Sequence, residues 1–110
     1  MQVPDATLTR LVSAPRARRS LVVLVGDAPL GERHAQALAA SLEASGVETI
    51  QVGRERDARR LAALAVEHQA DAVELCVAGA RGVPLLHELL RELIALGRRD
   101  VRIVVHNAAV

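Results

Sequence analysis

The chain has 110 residues, 51% of them hydrophobic and 25% charged, with a net charge of +1 and no Phe, Tyr or Trp. This composition excludes a disordered chain, suits one domain with a single core, and offers nucleic acid neither a global positive field nor aromatic stacking platforms. No apolar run reaches the roughly 18–20 residues of a membrane span. The start lacks a basic-then-apolar leader and the single Cys76 precludes an internal disulfide, so a cytoplasmic protein without membrane partners is expected.

Residues 1–19 read as an N-terminal arm or linker. Asp5 is placed to cap a short helix through Val12, with Leu8, Leu11 and Val12 on its apolar side. Pro15 and the cluster Arg16-Ala17-Arg18-Arg19 then read as a solvated connection. From residue 20 to 110 the pattern is that of one α/β domain. The uninterrupted apolar run over 20–25 predicts a strand buried on both faces. A loop follows, Gly26-Asp27-Ala28-Pro29-Leu30-Gly31-Glu32-Arg33-His34, and then a helix over 31–45 with Ala35, Leu38, Ala39 and Leu42 inward and Gly46 as its stop.

Residues 47–52 alternate in character and predict a more exposed strand. A helix over 57–69 has Leu61, Leu64, Ala65 and His68 on one face, and 72–77 is a third strand ending at Ala78-Gly79. Pro84 suits the first turn of a third helix, where its missing N–H costs nothing, with Leu86, Leu89, Leu90, Leu93 and Ile94 inward and Gly97 closing it. Residues 101–105 form the fourth strand, with His106-Asn107 just beyond. The alternation β-α-β-α-β-α-β with short connections implies a parallel sheet with right-handed crossovers and helices on both faces. The fold class is therefore flavodoxin-like, with about four strands and without the usual fifth strand and helix. A sheet so thinly covered is expected to meet a homo-oligomer partner or the subunit of a partner enzyme.

Chemistry-bearing residues gather at the predicted carboxyl ends of the strands: Asp27 and His34 after the first, Cys76 and Gly79 at the third, and His106 and Asn107 at the fourth. In open α/β sheets that edge is where ligands bind. Asp27 also suits a cap on the first helix, His34 a surface position, and Cys76 a small buried apolar role. Glu74 lies in a strand that should be buried, and a buried carboxylate needs a partner. An arginine of the arm is the expected one. There is no Gly-x-Gly-x-x-Gly, Walker loop, Cys-x-x-Cys or Gly-x-Ser-x-Gly, and all 14 basic residues are Arg, so the lysine of a phosphoacceptor site is lacking too.

Residues 20–107 resemble the cobalamin-binding domain of adenosylcobalamin-dependent mutases of the methylmalonyl-CoA mutase type. The resemblance is carried by Leu89-Leu90-Arg91-Glu92-Leu93-Ile94-Ala95-Leu96-Gly97-Arg98-Arg99-Asp100-Val101, by the first helix ending at Gly46, and by Asp71-Ala72-Val73 at the entry to the third strand. It implies a cobalamin site lined by Asp27, Gly31, His34, Cys76, Gly79, His106 and Asn107. The family's cobalt-ligating Asp-x-His-x-x-Gly loop is only half present: Gly26-Asp27 fits, but Pro29 stands at the histidine position. His34, in the same stretch, is the remaining candidate metal ligand. Cys76-Val77-Ala78 replaces a serine-led segment, and His106-Asn107 replaces a Gly-Gly pair. The resemblance thus implies a non-catalytic module for assembly or regulation that has lost its cofactor, or else a cobalamin carrier serving a mutase or methyltransferase on another chain. Catalysis by this chain alone is not expected.

Overall fold

Each described helix is apolar along one side only, so the elements hold together by burying those faces against a sheet. The computed structural model describes residues 20–77 and 82–107. The expected arm over 1–19 and the Ala78-Gly79 turn, Gly79 included, lie outside these described residues. The elements run β1 (Leu21–Gly26), α1 (Ala28–Ala44), β2 (Glu48–Gly53), α2 (Ala58–Glu67), β3 (Ala72–Val77), α3 (Gly82–Ala95) and β4 (Arg102–Asn107). Among the described residues no helix is long and apolar enough to cross a membrane.

All strand pairs are parallel, in the order β2-β1-β3-β4. This is a flavodoxin-like arrangement, with β1 and β3 central and the chain reversing its direction of travel across the sheet between them. β3 is buried along its whole length, whereas β2, at one edge, has no fully buried residue. On one face of the sheet, Val23, Val25, Val73, Leu75 and Val77 meet Leu61, Ala62 and Ala65 of α2 and Leu89 and Leu93 of α3. On the other face α1 is the one helix among the described residues, with Ala35 and Ala39 over Val22, Leu24, Ala72 and Cys76. Helices therefore cover both faces, but unequally.

Several boundaries differ from the sequence reading for local reasons. The stretch after β1 is not a nine-residue loop: α1 begins at Ala28, three residues before the expected Gly31, because Pro29 occupies the first turn where its absent N–H is not needed. The tight entry puts Ala28 at φ 65°. α1 ends as expected, with Gly46 at φ 90° and its N–H donating to the Glu43 carbonyl at 3.0 Å. α2 starts at Ala58, one residue after the expected Asp57, which instead caps it, its carboxylate accepting from the Arg59 N–H at 3.0 Å. It ends at Glu67, so His68 is its exposed C-cap rather than part of the apolar face. In α3, Leu89 and Leu93 are buried, but the expected core positions Leu90 and Ile94 are each 42% exposed. The sheet meets only one side of this helix, and two leucine-rich faces cannot both reach it.

Candidate functional site

The carboxyl edge of the sheet lies where β1 ends in Gly26-Asp27, β3 in Cys76-Val77 and β4 in His106-Asn107. Two backbone approaches fix its shape. A Cβ on Gly26 would stand 2.7 Å from the Glu32 Cα, and one on Gly31 would stand 2.4 Å from the Cys76 carbonyl oxygen. The first turn of α1 therefore rests directly on the end of β3, and the Asp27 N–H donates to that same carbonyl at 2.9 Å. Gly31 is a packing residue with no side chain to offer a ligand.

Asp27 does not cap α1 through its side chain, contrary to one expectation. Its carboxylate turns to the other side of the sheet and accepts from Arg56 Nη2 at 2.7 Å. Asp27 is only 3% exposed, while the Arg56 side chain is 60% exposed. A carboxylate this buried requires a charged partner, and the turn between β2 and α2 supplies it. No local pattern marks this pairing, since 29 positions separate the two residues. Around the pair lie further ion pairs, Arg54 with Glu32 and Arg60 with Glu55, both largely exposed and of little energetic weight.

Beside this pair, on the α2/α3 side of the sheet, is a crevice of about 250 Å³ lined by Val25, Val77, Pro84 and Leu85, with Asp27, Glu55, Arg56 and Glu88 around it. Apart from Asp27, sequence reasoning singled out none of the charged residues here. Only the placement of strand ends at the reversal point between β1 and β3 pointed to the region.

The remaining candidates collect on the opposite, α1 face. Glu74 points to that face between Ala72 and Cys76, and is 8% exposed. Its expected partner was an arginine of the arm, a segment outside the described residues. Among the described residues its partner is His106, with Nε2 2.5 Å from Glu74 Oε1. His106 and Asn107 are the last residues of β4 rather than a loop beyond it, and His106 stands beside Cys76 in the strand register. His34, exposed on α1, brings its ring to 5.1 Å from that of His106. Three residues distant in sequence thus converge. The arrangement holds a carboxylate and two imidazoles, but among the described residues no group of three His, Cys, Asp or Glu is placed to hold a metal ion.

Cys76 is fully buried, and burial with the Glu74 carboxylate nearby pushes its thiol up from 9.0 to about 11. It is neither an activated nucleophile nor a thiolate ligand in this setting. A thiol held protonated in the fold ionises first in the unfolded chain. The associated stability is therefore complete below pH 9 and disappears as pH climbs to about 11, a loss of about 2–3 kcal/mol. Replacing Cys76 by Ala should flatten that alkaline part of the stability profile in urea titrations. An unchanged profile would show that the thiol does not ionise differently on unfolding.

No protein-family model and no curated protein sequence matches this chain. Its function must therefore be argued from the arrangement just described.

Proposed function

We propose that this chain is a non-catalytic module with the frame of a cobalamin-binding domain, acting through assembly with a second copy of itself. The observation that carries the reading is the exposed side of the β4 layer. Among the described residues nothing pairs with the outer edge of β4, and α3 presents Val83, Leu90 and Ile94, 42–56% exposed, at helical spacing along one side. An open strand edge beside an apolar stripe favours addition of another chain. Isologous pairing suits it: antiparallel β4 strands would meet through the uncharged Ile103-Val104-Val105, and a net charge of +1 sets up little repulsion between copies.

The site residues do not fit a cobalamin held by an axial histidine. Pro29, at the ligand position, is built into the first turn of α1, and Asp27, the other matching residue of that motif, is buried against Arg56. The carrier reading keeps one favourable observation, the paired His34 and His106 rings at the carboxyl edge.

One set of measurements separates the two. Light scattering on the purified protein should give a dimer, and Leu90→Glu/Ile94→Glu should give a folded monomer with unchanged far-UV circular dichroism. Hydroxocobalamin should wash away from the protein on a desalting column. A monomeric wild type would reject the assembly reading, and red colour retained by the protein would replace it with the carrier reading.

A further inference from the structure

The geometry points to a binding slot between α1 and β2 for a neutral, flat molecule with a cyclic amide edge, such as a pyrimidine base. The slot holds about 320 Å³, at the lower end of the roughly 300–1,000 Å³ of ligand pockets, and every residue lining it is described. It lies at the opposite edge of the sheet from β4. It therefore shares no residue with the surface invoked for assembly and goes beyond that reading.

Strand register builds the slot. Leu24 of β1 is in register with Gln51 of β2, so the two side chains share the α1 face of the sheet. Leu24 and Ala35 close the floor, Gln51 forms one wall, and Gln36 of α1 forms the other. One step later Val25 is in register with Gly53, which leaves Val52 as an extra residue on β2. Such bulges are rare between parallel strands and recur beside functional sites, where they re-aim a side chain or end the pairing. Gly53 follows at φ 82°, and a Cβ there would meet nothing within 4 Å, so this end of the slot is open.

The glutamines decide the ligand class. Glu32 is the one charged side chain of the lining, and both its oxygens accept from Arg54, at 3.0 and 3.1 Å. That fork is closed on itself, and Asp27 acts on the same guanidinium, so the pair offers a charged ligand little. Gln36 and Gln51 are exposed at the rim, with their amides open to a ligand. Each carries an N–H donor beside a carbonyl acceptor. A cyclic amide presents the same two groups in reverse and makes both bonds at once. A carboxylate or an ammonium would use only half of each glutamine. The ring itself would lie over the apolar floor.

The test uses uracil and 1,3-dimethyluracil, which keeps the ring and its carbonyls but has both N–H groups methylated. Amide NMR spectra of the isotope-labelled protein report the side chains of Gln36 and Gln51 and the backbone of Gly53. Uracil should shift these signals with a dissociation constant of about 1 mM, as its size allows. The dimethylated ring should bind about tenfold more weakly, because its donors are gone.

Gln36→Leu and Gln51→Leu, both exposed changes, should each weaken uracil about five- to tenfold with far-UV circular dichroism unchanged. Gln51→Glu, which keeps the length of the side chain and removes its donor, should also weaken uracil. The Leu90→Glu/Ile94→Glu protein should bind uracil as the wild type does. Equal binding of the two rings would overturn the proposal. So would shifts absent at tenfold the expected concentration, or uracil binding unaltered in both leucine variants. A chain that is monomeric yet binds uracil would reject the assembly role and leave this slot standing, and a dimer that ignores uracil would do the reverse.

Discussion

Gly31→Ala is expected to lower the melting temperature by about 10 °C or more. The added methyl would stand 2.4 Å from the Cys76 carbonyl oxygen and 3.3 Å from its carbon. Both belong to the backbone of β3, the most buried strand, and no rotamer change can move them. Relief requires lifting the first turn of α1, which also stretches the bond from the Asp27 N–H to the same carbonyl. Overpacking of this kind costs about 1–3 kcal/mol or more, and each kcal/mol is worth about 4–8 °C in a domain near this size.

Gly82→Ala provides the comparison. Its methyl would meet Val105 Cγ1 at 2.6 Å and Val77 Cγ2 at 2.8 Å, both side-chain atoms. Valine methyls can shift, and alanine gains up to about 1 kcal/mol of helix propensity over glycine. The net loss should therefore be the smaller of the two. Melting curves followed by circular dichroism would decide the matter. A Gly31→Ala protein melting within about 2 °C of wild type would show that α1 is not seated on β3 as described.

His106→Ala should cost about 2–3 kcal/mol, because it strips the partner from a carboxylate that is 8% exposed. Glu74→Leu should cost less than about 1 kcal/mol, since the His106 side chain is 28% exposed and can turn to water. Combining Glu74→Leu with His106→Ala should recover most of the loss caused by His106→Ala alone, as the buried charge is then gone. Urea unfolding of the four proteins gives the coupling energy directly. Strict additivity of the two single losses would mean that Glu74 and His106 do not act as a pair.

The contrast between these two predictions shows what the sequence revealed. The elements were legible because burial patterns are local: an unbroken apolar run marked β1, Gly46 marked the end of α1, and Asp57 marked the start of α2. The parallel topology followed from the strict alternation of strand and helix. The candidate site was legible only as a set of strand ends. Who pairs with whom was not, because Asp27 meets Arg56 across 29 positions and Glu74 meets His106 across 32, and no periodicity encodes such contacts. The start of α1 was misplaced for a related reason. Pro29 and Gly31 resemble loop residues, yet proline suits a first helical turn and this glycine is needed for a close backbone approach rather than a bend. Leu90 and Ile94 were misassigned because apolar character does not reveal which of two helix sides reaches the sheet.

The unequal layers of the sandwich carry a dynamic consequence. Among the described residues, the side shared by α2 and α3 is locked by thirteen mutually packed buried residues, and the side beneath α1 by six, five of them alanine, valine or cysteine. Detachment of α1 is thus a sub-global opening that leaves the other layer in place. Cys76 sits under that hinged cover. Its encounter with a thiol reagent would keep time with the helix rising and reseating, so a slow chemical label becomes a clock for a motion that leaves most of the molecule folded.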